Sequence, residues 1–398
     1  MQLLEQLLAD RGEPEYRARQ IWAWVARGTH DYEQMTNLPR ELRGALASEV
    51  PFSSLAVREE RHAGDGTVKA LFATVDRRPL EAVLMRYRDP PGGGDPPGGG
   101  DPPGGGDPPG SGDPPGSGDP PGSGDPPGSG DPPGSGDPRR SRDVPGGRSG
   151  RRSICVSSQS GCPLTCTFCA TGQMKFARNL TSSEILDQAL HFRRIEPVDH
   201  CVFMGMGEPL LNLDNVLGAC ERLPDIGITN RRTTISTVGW IPGIQRLAEQ
   251  DMPVRLALSL HAADDALRSQ LMPVNERYPL ADVIEACRYF YARKRRRVFV
   301  EYVMLAGVND RYEQALALAR LLSNGRAESI GERPIFKVNL IPYNPTDAGG
   351  RAPYQGSGRE SIAAFRGALE ARGVPVTVRL TRGRDIDAAC GQLAANAA

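Results

Sequence analysis

The chain of 398 residues carries 48 basic and 48 acidic side chains, and its length allows one large α/β domain with a smaller one beside it. It lacks an apolar run long enough to cross a bilayer, and its first twenty residues are charged throughout. Neither a membrane span nor a signal peptide is therefore predicted, and we expect a cytoplasmic protein. Residues 89–138 hold nine aspartates and no basic residue, so the remainder has a net charge of +9, which permits a polyanionic partner.

The first 88 residues predict two small units. Residues 1–50 are expected to form an N-terminal helical domain, because Ile21, Trp22 and Val25 recur at helical spacing. Residues 51–88 are expected to form a short β extension that leads to the main domain, with a hairpin turn at Asp65-Gly66.

Residues 89–152 form a low-complexity insertion followed by a basic linker. The sequence DPPGGG occurs three times and DPPGSG five times, up to residue 136, and arginines follow from Arg139 to Arg152. A repeat without apolar side chains has nothing to bury, so we predict disorder here. The fold can tolerate a connection of this length if its two ends are anchored together, because the entropic cost of closing a loop grows only slowly with its length.

Residues 153–393 alternate between strand and helix patterns. Strands are predicted near 153–157, 200–204, 233–236, 254–260, 298–304, 335–341 and 374–380, and helices fall between them, as at 182–195 and 280–294. This alternation predicts an α/β fold with parallel strands, either a full or a partial barrel. Active sites of such barrels lie at the carboxyl ends of the strands.

The densest chemical motif is the cysteine triad Cys162, Cys166 and Cys169, spaced C-x₃-C-x₂-C. Three soft thiolates suit one face of an iron–sulfur cubane and leave its fourth iron open to a ligand. A structural zinc site usually needs four protein ligands, and no obvious fourth is near. The spacing resembles that of the radical SAM superfamily. The resemblance implies one [4Fe–4S] cluster per chain that binds S-adenosylmethionine and cleaves it to a radical.

Further motifs end the later strands. Gly207 and Glu208 lie in MGMGEPL, where glycine allows close approach and a carboxylate can accept a bond from an ammonium group. The other predicted contacts to S-adenosylmethionine are Ser236, Ser259, Leu260, His261 and Asn344. Each alone is also typical of a capping, turn or core residue.

The strings SICVSSQSGC, GMGEPLLN, SLHA, EYVML, NLIPYNP and RGRDIDAACGQL occur in this order. Together they resemble the dual-specificity 23S rRNA and tRNA adenine-C2 methyltransferases of the RlmN/Cfr family, over nearly the whole chain apart from residues 89–152. The resemblance implies a partial (β/α)6 barrel and three catalytic residues. Cys390 would carry a methyl group from the first of two S-adenosylmethionine molecules used per turnover. Glu81 would accept the proton from adenine C2. Cys155 would attack the Cys390 sulfur and form a transient disulfide.

The resemblance also implies 23S rRNA and tRNA as partners, an electron donor such as flavodoxin, and a monomer. The basic run Arg293–Arg297 is a candidate RNA contact, although most such runs are solvated faces. Three alternatives stay open: a Cfr-like enzyme acting at adenine C8, a radical SAM enzyme acting on a small molecule or peptide, and a non-enzymatic RNA-binding protein with a zinc-bound triad.

Overall fold

The N-terminal segment is helical, as its apolar spacing predicts. The computed structural model describes residues 2–87, 150–323, 334–345 and 354–393. Its first helices are α1 (Gln2–Asp10), α2 (Tyr16–Ala26) and α3 (Arg40–Glu49). They enclose their own apolar cluster, in which Ile21 and Leu46 are almost fully buried. Trp22 packs on the main core instead, so α2 contacts both the helical domain and the main domain.

A meander of antiparallel strands follows the helices. Its strands are β1 (Leu55–His62), β2 (Val68–Thr74) and β3 (Pro79–Arg86), and β3 pairs in turn with β4 (Arg152–Cys155). The turn at Asp65-Gly66 joins β1 to β2 as predicted. Asp65 fixes it by accepting the backbone N–H of Thr67 at 2.9 Å, a common turn contact of aspartate.

The rest of the chain is a βα series. The strands are β5 (Gln159–Ser160), β6 (Arg178–Asn179), β7 (His200–Phe203), β8 (Thr233–Thr237), β9 (Arg255–Ser259), β10 (Val298–Met304), β11 (Phe336–Pro342) and β12 (Val376–Val378). The helices are α4 (Ser182–Ile195), α5 (Leu213–Arg222), α6 (Ile241–Glu249), α7 (Asp265–Leu271), α8 (Leu280–Lys294), α9 (Tyr312–Ser323) and α10 (Arg359–Glu370). β5 and β6 pair with each other, and the other ten strands form one sheet in the order β1-β2-β3-β4-β7-β8-β9-β10-β11-β12.

From β4 onward the neighbours in this sheet are parallel, and the sheet is linear from β1 to β12. This confirms the predicted α/β class with an open, partial barrel. Local sequence explains several boundaries. The helix α4 begins at a capping box, in which Thr181 accepts the Glu184 N–H and the Glu184 carboxylate accepts the Thr181 N–H.

The two ends of the insertion are adjacent. The backbone N–H of Tyr87 donates to the carbonyl of Arg151 at 2.8 Å, and Arg86 is paired with Arg152 in the β3–β4 ladder. The condition for tolerating a long connection is therefore met. Arg152 opens β4 rather than ending a linker, whereas the repeats and the arginines up to Arg148 lie outside the described residues.

The basic run Arg293–Arg297, at the end of α8, does not form one open face. Arg293 pairs with Glu249 at 2.7 Å, Arg296 is buried, and Arg297 donates to the carbonyl of Pro334. Three of its five side chains are thus bound to groups of the domain or buried within it. Among the helices that the structure describes, none is long and apolar enough to span a membrane.

Candidate active site

A cavity of about 160 Å³ contains the cysteine triad. Its wall is built from the carboxyl ends of parallel strands, the loops that follow them, and the C-terminal segment, which is where active sites of βα barrels are expected. The predicted site residues in this wall are Cys162, Cys166, Cys169, Gly207, Glu208, Ser236, Ser259, His261 and Cys390.

The triad lies on a tightly fixed loop after β5. Cys169 N–H donates to the Cys166 carbonyl at 3.3 Å, and the Gln173 side chain donates to the same oxygen at 3.1 Å. The loop begins at Gly161, whose φ is +74° and where a Cβ would lie 2.3 Å from the Lys175 carbonyl oxygen. Only glycine fits this position without displacing the backbone.

The three thiols are desolvated and affect one another. Burial raises the pKa of Cys162 to about 12 and raises the pKa values of Cys166 and Cys169 as well. The neighbouring triad thiols raise the pKa of Cys166 further. Among the described residues, no three His, Cys, Asp or Glu side chains converge closely enough on one point to hold a single metal ion.

Glu208 supplies a buried carboxylate next to the triad. Its two oxygens accept the backbone N–H groups of Leu210 at 3.1 Å and Val238 at 2.9 Å. Burial raises its pKa to about 7, although these hydrogen bonds oppose the rise. Gly207 before it has φ +95°, and a Cβ there would lie 2.5 Å from the Cβ of Gln159.

The ends of β8 and β9 contribute polar groups. The hydroxyls of Ser236 and Ser259 are 3.4 Å apart. His261 has φ +62°, and its Nδ1 accepts the Val303 N–H at 3.0 Å, so the proton of the neutral ring lies on Nε2. Burial lowers the pKa of His261 to about 3, which keeps this ring uncharged.

Arg268 on α7 holds these strand ends together from behind. Its side chain is fully buried, and its guanidinium donates to the carbonyls of Leu260 at 3.1 Å and Val238 at 2.5 Å and to Asn275 Oδ1 at 2.7 Å. Leu260 is thereby fixed through its backbone, but it is not part of the cavity wall. Sequence reasoning did not identify Arg268, since a lone arginine on a short helix is typical of a surface residue.

Two buried oxygens near the cavity lack partners among the described residues. They are Oδ1 of Asn344 and Oε2 of Glu301. Glu301 lies in the cavity wall, whereas Asn344 adjoins Tyr343, which lines it. The other oxygen of Glu301 accepts from Asn339 at 2.9 Å and Arg379 at 2.8 Å. Sequence reasoning missed Glu301, although a charged residue inside the apolar strand EYVML was a usable signal.

The C-terminal segment brings Cys390 against the triad loop. The carbonyl of Gly391 accepts the Ala170 N–H at 2.9 Å, and the Thr171 hydroxyl donates to the Leu393 carbonyl at 2.5 Å. Cys390 is exposed and lines the cavity, whereas Cys155 is buried outside its wall. Burial raises the pKa of Cys155 to about 12, and the nearby Cys390 contributes to this rise. Both are free thiols here, so the predicted disulfide is not present in the structure.

Glu81 lies on β3 and is buried rather than solvent-facing. Its Oε1 is 3.2 Å from Nζ of Lys69, and each of these side chains is 8% exposed. Sheet register relates it to Cys155, because Val83, two residues after Glu81, is directly opposite Cys155. Side chains alternate along a strand, so Glu81 and Cys155 project from the same face. Glu81 itself is not in the cavity wall.

Two family models match the chain. Residues 156–319 match the radical SAM superfamily, and residues 1–51 match the ribosomal RNA large subunit methyltransferase N-terminal domain. A probable dual-specificity RNA methyltransferase RlmN from Thermus thermophilus is 38% identical, with 99% of this chain and 92% of that protein covered. The chain belongs to the RlmN-type dual-specificity RNA methyltransferases of the radical SAM superfamily. It is therefore a SAM-dependent methyltransferase and no zinc-bound, non-enzymatic protein.

Other relatives agree with this assignment. A probable dual-specificity RNA methyltransferase RlmN from Chloroflexus aurantiacus is 40% identical, with 98% of this chain and 90% of that protein covered. A crystal structure of a radical SAM methyltransferase from Sphaerobacter thermophilus has a TM-score of 0.77 and 38% identity, and the match covers 99% of this chain and 97% of that one.

The family implies a [4Fe–4S] cluster and S-adenosylmethionine, and the residues present fit both. Three desolvated thiols ionise only next to positive charge, which iron supplies. In a cubane each thiolate binds a different iron atom, so the three sulfurs need not converge on one metal ion. Glu208 is a buried carboxylate suited to an ammonium group. The unpartnered Oδ1 of Asn344 is a free acceptor for a bound donor.

Proposed function

We propose that this protein methylates C2 of adenosine in 23S rRNA, at the peptidyl transferase centre, and in tRNA, at the adenosine 3′ of the anticodon. The observation that carries the proposal is the second pair of cysteines. Cys390 lines the same cavity as the triad, and Cys155 is buried within electrostatic reach of it. A radical SAM enzyme without a methyl carrier has no use for such a pair.

Adenine C2 lies between two ring nitrogens and is too electron-poor to attack a sulfonium methyl group. When bound at Cys162, Cys166 and Cys169, the cluster with S-adenosylmethionine supplies a carbon-centred radical. The other steps would be carried out by side chains of the protein itself. Glu208 would hold the amino group of S-adenosylmethionine, and Ser236, Ser259, Leu260, His261 and Asn344 would complete its binding site around Gly207.

Cys390 would act as the methyl carrier. Its exposed sulfur would take a methyl group from the first S-adenosylmethionine by displacement, which thiolates perform readily. Its position on the cavity wall would then present this methyl group to the radical, to which one methyl hydrogen atom would pass, and to the adenine. After the carbon is joined to C2, Cys390 and the RNA would share one thioether.

Glu81 and Cys155 would resolve the thioether. The adduct would give up one electron, for which the bound cluster would be the acceptor, and the C2–H bond would break with its proton passing to the Glu81 carboxylate, which acts as a general base. The Cys155 sulfur would attack the Cys390 sulfur, so that an S–S bond forms and the bond from sulfur to the transferred carbon breaks with its electron pair on carbon. That carbon would take up the proton from the Glu81 carboxyl to become the methyl group, and the methylated base would depart. An external thiol reductant would reopen the disulfide before the next turnover.

Nucleoside mass spectrometry tests the proposal. Anaerobically reconstituted protein, S-adenosylmethionine and RNA are expected to yield 2-methyladenosine. The appearance of 8-methyladenosine instead would replace the proposal by the Cfr-like activity, which the same cysteine set also allows. The Cys390→Ala variant should form no S-methyl group and no product, whereas Cys155→Ala should form a lasting protein–RNA adduct.

The buried core cysteine Cys220 provides the matched control, because it lies outside the cavity wall. Cys220→Ala should retain methylation. Product formation by Cys390→Ala at the wild-type rate would exclude the methyl-carrier role and favour a radical SAM reaction on another class of substrate.

We propose the same arrangement for the whole chain as the sequence predicts. The helical domain of residues 1–50 and the extension of residues 51–88 would flank the radical SAM domain of residues 153–393, with the low-complexity segment 89–152 between them. The protein would act as a cytoplasmic monomer and take electrons from a donor such as flavodoxin.

A further inference from the structure

Lys69 is a buried cation in an otherwise apolar strand. It is the second residue of VKALFAT, the sequence of β2, in which six of seven residues are buried. Lysine is rarely buried to this extent unless it is paired. Its one ion-pair partner among the described residues is Glu81, at 3.2 Å. A buried ion pair is weak evidence for stability, because apolar residues of similar volume often serve as well. The pair therefore calls for a reason beyond folding.

The same ammonium also contacts the loop of the methyl carrier. Nζ of Lys69 donates to the carbonyl of Asp387 at 3.2 Å, three residues before Cys390. Asp387 has φ +53°, an uncommon conformation for a residue other than glycine, so the backbone of this loop is held in a costly shape. Lys69 thus links Glu81 to the segment that carries Cys390.

Other contacts dock this segment on the β1–β2 hairpin. The Gly383 N–H donates to the Asp65 carboxylate at 3.1 Å, and the Gly64 N–H donates to the Asp385 carboxylate at 3.1 Å. These contacts attach the loop to the rim of the hairpin. Lys69, in contrast, contacts the buried side chain of Glu81, which lies on the same face of the sheet as Cys155.

The register of the sheet explains how one side chain can do this. Lys69 is directly opposite Val83, which is directly opposite Cys155. Glu81, two residues before Val83, projects from the same face. Lys69, Glu81 and Cys155 therefore share one face of three adjacent strands, and the Asp387 carbonyl lies over it.

We propose that Lys69 is a positioning residue that fixes the Glu81 carboxylate relative to the Cys390 loop. The proposal rests on the role of Glu81 as proton acceptor given above. The Lys69 ammonium lies 3.2 Å from Glu81 Oε1 and 3.2 Å from the Asp387 carbonyl of this loop, and a general base works only within hydrogen-bond reach of the proton that it accepts. Loss of Lys69 would therefore slow resolution of the thioether rather than formation of the adduct.

The test compares Lys69→Met, Lys69→Arg and Glu81→Gln in the full-length, cluster-loaded protein. Each variant is incubated with S-adenosylmethionine and RNA, and S-methyl-Cys390, covalent protein–RNA adduct and methylated adenosine are measured separately. We expect Lys69→Met to form the adduct but to release product at least about tenfold more slowly at pH 7. Lys69→Arg should stay within about threefold of the wild type, because it keeps the cation.

Rescue by the conservative variant separates this role from simple support of the fold. Lys69→Arg keeps a cation that can contact both Glu81 and the Asp387 carbonyl, so it should restore product release. Loss of a residue that only supports the fold would instead lower S-methyl-Cys390, adduct and product together. Lys337→Met on β11 is the matched control and should leave product release unchanged.

The outcomes distinguish the two proposals. If Glu81→Gln accumulates adduct but Lys69→Met releases product at the wild-type rate, the role of Lys69 is wrong and that of Glu81 stands. If Glu81→Gln itself releases product normally, both roles are wrong. If Lys69→Met forms no adduct and Lys69→Arg does not rescue it, Lys69 is a structural residue.

Discussion

Glu208 holds a buried charge that a ligand must balance, and this gives a prediction at the scale of one residue. Because its pKa is raised to about 7, its carboxyl is largely protonated below that pH in the free protein. Binding of an ammonium group then requires release of this proton. We expect the affinity for S-adenosylmethionine to fall as the pH decreases through 7, by at most about tenfold per pH unit. Calorimetric binding measurements from pH 6 to 8 would record it.

The control is Glu208→Gln, which cannot titrate. It should bind more weakly at pH 8 and show no such pH dependence. The pH dependence of stability has the opposite direction to that of binding. An acid whose pKa is raised in the folded state favours folding at low pH, and this contribution is lost as the pH rises through about 7. Wild-type affinity that stays constant from pH 6 to 8 would contradict the assignment of Glu208 as the ammonium partner.

At the scale of single elements, local sequence patterns predicted the structure wherever it depends on one strand or helix alone. The spacing of apolar residues gave α4 and α8, and the turn signal Asp65-Gly66 gave the β1–β2 hairpin. The motifs at strand ends predicted which residues line the cavity, because the carboxyl ends of parallel strands meet at one rim. Leu260 and Asn344 are just outside the wall itself.

Contacts between distant elements could not be predicted in this way. Lys69, Arg268 and Arg379 each bind groups on elements far away in the sequence, and nothing near them signals their partners. The sequence also gave no reason to expect Glu81 to be buried, since its strand neighbours are separated from it by the turn and by the insertion. Pairing across the sheet, rather than local propensity, sets its environment.

The strand-end loops depend on Arg268, which yields a prediction for α7. Arg268→Met removes the donors to the carbonyls of Leu260 and Val238 and to Asn275. Buried acceptors left without donors are costly, so we expect a loss of about 3 kcal/mol in the free energy of unfolding. Because the same loops carry Ser259 and His261, the affinity for S-adenosylmethionine should fall as well. Urea unfolding and calorimetry would measure the two effects.

Arg366→Ala is the control for this variant. Arg366 pairs with Glu370 one turn away on α10, and both side chains are about half exposed. Such surface pairs contribute little, so a change below about 0.5 kcal/mol is expected. An Arg268→Met variant as stable as Arg366→Ala would show that the guanidinium is not what holds the loops.

At the scale of the whole molecule, the three proposed catalytic residues come from distant parts of one sheet. Glu81 and Cys155 lie on β3 and β4, whereas Cys390 follows β12 at the far edge. The C-terminal segment spans this distance by docking on the β1–β2 hairpin and on the triad loop. The returning segment thereby adds Cys390 and Gly391 to the wall of the cavity that the open sheet forms.

The insertion between β3 and β4 plays no part in this arrangement of the sheet, and its deletion gives a prediction. Since Tyr87 and Arg151 are joined by a hydrogen bond of 2.8 Å, the chain leaves and re-enters the sheet at one place. Deletion of residues 89–136 leaves residues 137–149 to close the connection, and the shorter loop should stabilise the fold by about 1 kcal/mol. We expect methylation at the wild-type rate, measured by nucleoside mass spectrometry, and a slightly higher resistance to urea.

The deletion also changes charge, so a second variant is needed. It removes eight aspartates and leaves the protein strongly basic, which should raise RNA affinity at low salt and steepen its salt dependence. A replacement of residues 89–136 by a neutral Gly/Ser segment of equal length separates charge from length: it should reproduce the change in RNA affinity but not the gain in stability. A soluble, cluster-loaded deletion variant that no longer methylates RNA would instead assign the repeat a part in the reaction.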